Sequence, residues 1–93
     1  MARPKKERNI CSRAPYECFK PNGVPLSQLN KVELLAEELE ALRLADLEDL
    51  SQAEAAASMG VSRQTFGNII KRARAKVAQS LVHGHALMFH HQL

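Results

Sequence analysis

The sequence predicts an all-α fold, a small three-helix helix-turn-helix bundle with an extended N-terminal arm. Three observations carry that prediction. Two helix starts are marked by capping residues, Ser51 and Ser62, with Gly60 between them where a sharp turn is needed. An apolar stripe, Phe66, Ile69, Ile70, Ala73 and Val77, follows at helical spacing. With one Tyr, three Phe and no Trp, the core must be packed by Leu, Val, Ile and Ala, which suits a small bundle. Ninety-three residues allow one domain. Its compact part is marginal in size, so help from the flanking segments or from a second subunit is expected.

Residues 1–29 read as a basic arm followed by an extended docking segment. In MARPKKERNICSRAP, the side chains Arg3, Lys5, Lys6 and Arg8 are candidate arm contacts to phosphate or a minor groove. A solubilising tail with only a general electrostatic contribution is the blander reading, and for sequence-specific contacts it is preferred. Cys11 and Cys18 form C-x6-C, a poor match to zinc-knuckle spacing, so two reduced thiols are expected and no metal or cofactor is assigned. Asn22-Gly23 marks a turn. Tyr16, Phe19, Val24, Leu26 and Leu29 are apolar enough to lie across the helices, with one helical turn at Leu26–Leu29.

Residues 30–84 form the expected helix-turn-helix domain. Asn30 and Glu33 have capping-box spacing, although the regular first helix could start only at Ala36. Leu35, Leu39 and Leu42 are its expected inner stripe, supported by Val32 and Ala45, with Leu47 and Leu50 anchoring the loop that follows. Glu37, Glu38, Glu40, Asp46, Glu48 and Asp49 make the expected solvent face. They lack His or Ser partners and should repel phosphate rather than perform acid–base chemistry.

The second helix begins with a capping box, Ser51 and Glu54, and ends at Gly60, which should hold φ > 0. Seven positions then fit a helix-turn-helix: Ala55 and Ala56 at the close approach, Met59, Gly60 and Val61 at the turn, Phe66 and Ile69 packing back. The third helix runs from Arg63 to His83, with Gly84 as its stop. Residues 85–93 are a C-terminal tail, in which Leu87, Met88 and Phe89 should pack on the domain or on a second subunit. His83, His85, His90 and His91 lack the i, i+4 spacing of a helical metal pair.

Charge is segregated along the chain. Residues 1–20 carry +4, residues 21–60 carry −6 and residues 61–93 carry +5, within a net charge of +3. A basic arm and a basic third helix flanking an acidic scaffold point to a polyanionic partner. The third helix opposes its apolar stripe with Gln64, Asn68, Lys71 and Ala75, flanked by Gly67 and Arg72, and this face contains no carboxylate. Gln and Asn can pair bidentately with adenine, and Arg with guanine.

The candidate base-reading residues are therefore Arg63, Gln64, Thr65 and Asn68. The candidate phosphate-binding residues are Ser51, Gln52, Ser62, Lys71, Arg72 and Lys76. No secretory signal or membrane-length apolar run is visible, so a cytoplasmic, nucleoid-associated protein is expected. Without a nucleophile elbow, a phosphate loop or a metal-plus-base set, no enzymatic activity is expected.

The run EELEALRLADLEDLSQAEAAASMGVSRQTFGNIIKRARAKVAQSLVHGHAL, preceded by FKPNGVPL, resembles domain-of-unknown-function family 134, a family of small prokaryotic proteins described as predicted DNA-binding proteins. The likeness extends from the N-terminal R-P through His-Ala-Leu, and EALRLADL and VSRQTFGNII are its specific segments. Its helix-turn-helix is also similar to that of region four of bacterial sigma factors. The resemblance implies that Ser62, Arg63, Gln64, Thr65, Asn68 and Arg72 occupy recognition-helix positions. It supplies no target or effector. The chain departs from the family's usual ending at His85 and in FHHQL.

The expected function is sequence-specific binding of double-stranded DNA by a transcriptional regulator, with a homodimer and the transcription machinery as further candidate partners and no membrane. The alternatives are a protein-interaction module that docks through the acidic helix, and a small metal- or redox-sensing regulator.

Overall fold

The computed structural model describes residues 17–89. The chain enters in a short strand, β1 (Cys18–Phe19), turns through Gly23 at φ 80° and a 3-10 turn at Leu26–Gln28, and forms β2 (Lys31–Leu34). Helix α1 (Ala36–Leu42) continues into a π-type turn at Arg43–Leu47, where the Glu48 N–H donates to the Arg43 carbonyl at 2.8 Å. Helices α2 (Gln52–Met59) and α3 (Arg63–His83) follow, and β3 (Ala86–Phe89) closes the fold.

The strands form one sheet in the order β1-β3-β2, with β3 antiparallel to β1 and parallel to β2. The expected all-α class is therefore corrected: the domain is α/β, three helices and a three-stranded mixed sheet. Two of its strands come from stretches read as docking segment and tail. The third, β2, comes from the stretch read as the start of the first helix. There Lys31, Val32, Glu33 and Leu34 are exposed, half-buried, exposed and buried, a period of two rather than 3.6. Asn30 does not cap a helix; its carbonyl accepts the Ala86 N–H at 2.9 Å. Strands of two to four residues are too short to display a period against helix-cap spacing, and the pairing partner of β2 lies some fifty residues away.

Helix α1 is also rotated from the expected phase. Ala41 and Leu44 enter the core, and the carboxylates Glu38 and Glu40 are buried, whereas Leu35 and Leu39 are only half-buried; Leu42 and Ala45 do pack against the core as expected. Leu47, expected to anchor the loop, is 77% exposed; Leu50 does pack against the core, and its N–H donates to the Leu44 carbonyl. Asp49 closes this loop at φ 60°, a conformation that Asp tolerates better than most residues.

The helix–turn–helix spacing behaves as written. Ala55, Ala56, Met59, Phe66 and Ile69 are at most 3% exposed, Val61 packs against them, Ile70 belongs to the same core, and Ala73 is buried one turn further along α3. Ser51 Oγ accepts the Glu54 N–H at 3.1 Å while the Glu54 carboxylate accepts the Ser51 N–H at 2.9 Å. Ser62 Oγ accepts the Thr65 N–H at 3.0 Å.

Gly60 is left-handed, φ 70° and ψ 33°, and the Val61 N–H then reaches the Ala56 carbonyl at 3.0 Å, sealing the end of α2. Gly60→Val is expected to destabilise the domain by about 1–3 kcal/mol, because a β-branched residue strains at that φ. Thermal unfolding followed by circular dichroism checks this; a curve matching the parent would mean that the turn is held in some other way.

Candidate nucleic-acid interface

Helix α3 is long because its inner stripe is continuous, and its exposed surface differs between its first and second halves. Its first two turns carry the candidate readers. Arg63, Gln64, Asn68 and Lys71 are all exposed. Neither Arg63 nor Lys71 has a carboxylate partner among the described residues. Thr65 is half-buried, and its hydroxyl sits 2.9 Å from Ser62 Oγ, so it is engaged in capping α3. Ser62 is occupied in the same way, and Ser51 in capping α2.

The N-terminus of α2 lies beside this face. A Cβ placed on Gly67 would meet Gln52 Oε1 at 3.8 Å, an ordinary contact. Gln52 therefore lies against α3 at Gly67, which stands one turn from both Arg63 and Lys71 along the helix, although the space would also admit a methyl group. These six side chains, from Ser51, Gln52, Arg63, Gln64, Asn68 and Lys71, form one polar, cation-bearing surface with a helix N-terminus at its edge.

Two of the phosphate candidates are placed differently. Arg72 turns toward α1, with Nη2 at 3.2 Å from Glu37 Oε2 and Nε at 3.3 Å from Glu38 Oε2. Lys76 Nζ lies 2.7 Å from Glu38 Oε1. The same Oε1 accepts the Leu35 N–H at 2.8 Å, which caps α1, since the Leu35 side chain has no acceptor to offer. Glu38 is therefore a fully buried carboxylate with three donors from three directions. Such burial is tolerated only with partners of this kind. Arg72 retains about half of its side-chain exposure, so its outer edge still faces solvent beside Asn68.

The acidic helix is thus less exposed than its sequence suggests. Glu40 is buried and receives Arg43 bidentately, at 2.9 Å from each oxygen, while Arg43 Nη1 also reaches Glu48 at 3.4 Å. Asp46 accepts two bonds from Arg74, at 2.7 and 3.1 Å, tying the π-type turn to α3. Those bonds hold the Asp46 carboxyl below its usual range and push Arg74 up. The Glu54 carboxyl is lowered by the hydrogen bonds from Ser51.

Glu38 and the Asp46–Arg74 pair were not identified from sequence. The available signal was that Arg72 and Lys76 stand four residues apart on the side of α3 that faces α1.

The arm candidates Arg3, Lys5, Lys6 and Arg8 lie outside the described residues, as do Cys11, His90 and His91. Cys18 is a free thiol in β1, and the rings of His83 and His85 lie 5.5 Å apart. Among the described residues no group of three or more His, Cys, Asp or Glu is disposed to hold a metal ion, and no helix is long and apolar enough to cross a membrane.

Comparison with known proteins gives a family and no activity. Residues 1–91 match the family model described as "Protein of unknown function DUF134". A UPF0251 protein of Vibrio parahaemolyticus is 71% identical over 89 residues, covering 96% of this chain and 93% of its own length. A UPF0251 protein of Vibrio vulnificus is 61% identical over 92 residues, covering 99% and 92%. One of Aeromonas salmonicida is 59% identical over 88 residues, covering 95% and 86%. No solved structure matches the chain.

Proposed function

The chain belongs to the DUF134 (UPF0251) family, and from that premise we propose, on the chemistry of the surface around α3, that it binds double-stranded DNA sequence-specifically as a transcriptional regulator. One observation carries the reading. The first three turns of α3 project Arg63, Gln64, Asn68 and Lys71 into solvent next to the N-terminus of α2; α3 itself carries no carboxylate, and the one at the α2 terminus, Glu54, accepts the Ser51 N–H. A helix of this kind, braced across its back by a shorter one, has the form that enters a major groove with its N-terminal residues toward base edges.

In this reading Gln64 and Asn68 contact base edges, with Arg63 at the entry of the helix. Lys71 and the α2 N-terminus at Ser51 and Gln52 contact phosphates. Arg72 contributes through its exposed edge while its carboxylate partners fix its position. Lys76 serves α1 rather than DNA. The competing reading, docking on polymerase or another regulator through an acidic helix, is weakened because Glu38 and Glu40 are buried and Asp46 is committed to Arg74.

Selection of bound fragments from random duplexes, followed by titration across a salt series, tests the proposal. Gln64→Ala and Asn68→Ala are each expected to lose about 1–3 kcal/mol on the selected site and to relax one base position. Lys71→Ala is expected to weaken all duplexes about equally and to reduce the salt slope by roughly one unit. Unchanged discrimination in both amide variants would remove α3 as the reader and favour the interaction module.

A further inference from the structure

The second stretch of α3 has a surface that the DNA reading does not use. From Ala75 to His83 the only side chain with a fixed charge is Lys76, and it is turned inward to Glu38. Ala75, Ala78, Gln79, Leu81 and Val82 all face solvent. Leu81 is 79% exposed and Val82 77%, and Phe19 on β1 beside them is 57% exposed. A helix face exposed for more than two turns would ordinarily be solvated by charge. Along it runs a groove of about 410 Å³ whose lining includes Phe19, Pro21, Val77, Leu81 and Leu87, between the C-terminal half of α3 and the sheet.

We infer that this face is the seat of a second copy of the chain, forming a two-fold dimer centred on Leu81. Leu81, Val82 and Phe19 together expose on the order of 300–400 Å² of apolar surface, the size of the largest patch on a typical monomer, which is often a functional one. That is close to half of the roughly 800 Å² per partner in a standard interface, and the groove walls and the polar rim can supply the rest. Protruding side chains and a groove on one patch make the surface self-complementary, as an isologous contact requires. The α3 part of the surface carries no exposed fixed charge, since Arg63 and Lys71 lie at the other end of α3; the one cation lining the groove, Lys20, has its Nζ on the Val24 carbonyl at 2.7 Å.

The position of the patch also fits its proposed use, and this part rests on the DNA-binding reading. Leu81 is about 80° round the helix from Lys71. A partner seated on the Leu81 side therefore leaves both reading faces directed the same way. The middle of the reading stretch is about 20 Å along α3 from Leu81. Two antiparallel copies crossing there hold their readers about 35–40 Å apart, near the one-turn separation of ~34–36 Å at which dimeric helix-turn-helix proteins take paired half-sites.

Sedimentation equilibrium of the full chain without DNA tests the interface independently of any DNA reading. The expected result is a species of twice the 10.4 kDa chain mass at micromolar to hundred-micromolar concentration. Leu81→Glu and, separately, Val82→Glu should weaken the dimer about a hundredfold or more. Both sites are exposed, so circular dichroism should report an unchanged fold. A parent chain that stays monomeric throughout, with the groove covered by residues 1–16 or taken by a small apolar ligand, overturns the inference. So does a dimer insensitive to both folded variants. A Leu81-dependent dimer that binds no duplex upholds the interface and removes the DNA reading. A monomer that selects a single half-site does the reverse.

Discussion

Glu38→Ala is expected to lower the melting temperature by about 10–25 °C, from a loss of roughly 2–4 kcal/mol at 4–8 °C per kcal/mol for a domain of this size. The carboxylate is fully buried and serves three donors at once, the Leu35 N–H, Lys76 Nζ and Arg72 Nε. Alanine removes the cap of α1 and leaves two cations facing a void. Breaking a wholly buried pair costs about 3–5 kcal/mol. Here Lys76 and Arg72 keep 28% and 48% of their side-chain exposure and can turn to water, so the cost falls short of that upper figure.

Glu38→Gln separates the two roles, since an amide oxygen still caps but carries no charge. It should recover part of the loss. Full recovery would assign the stabilisation to the cap alone. There is a functional signature as well. On the proposed DNA reading, loss of Glu38 releases Arg72 and Lys76 to solvent, so affinity for scrambled duplexes should rise and the salt slope should steepen by about one to two units.

Phe66→Ala is expected to be the most damaging single change, at about 3–5 kcal/mol. Its ring is completely buried between α2 and α3, among Ala55, Ala56, Met59, Ile69 and Ile70. Ala55 and Ala56 are small and Ile69 and Ile70 stiff at χ1, so only Met59 can shift into the space left by the ring. Total stability for domains of this class is only about 5–15 kcal/mol, so urea unfolding should show a midpoint reduced by about half, or no native baseline at 25 °C. Phe66→Leu should cost much less, because it retains most of the volume. If Phe66→Ala unfolds at the parent midpoint, the α2–α3 contact is not what holds α3 in place.

Local chemistry in the sequence sufficed for the helix–turn–helix. Ser51 with Glu54, Gly60 and Ser62 each act on groups no more than five residues away along the chain, and the stripe from Phe66 to Ala73 repeats at the helical period, so each could be recognised without knowledge of the rest of the chain. The exposed positions of Arg63, Gln64, Asn68 and Lys71 follow from that same period.

What only the tertiary structure decided was long-range. β3 becomes the central strand because β1 and β2 flank it from residues about seventy and fifty-five positions away, and Ala86–Phe89 carries no local mark of that pairing. Leu35, Leu39 and Leu42 form a credible inner stripe, yet α1 turns so that Glu38 and Glu40 enter the interior. The partners that make their burial tolerable, Lys76 and Arg72 for Glu38 and Arg43 for Glu40, are evident only once the elements are packed. Spacing along the chain is enough to specify caps, turns and the faces of a regular helix. Sheet pairing and the burial of charge depend on which distant groups meet, and those meetings are settled by the packed fold.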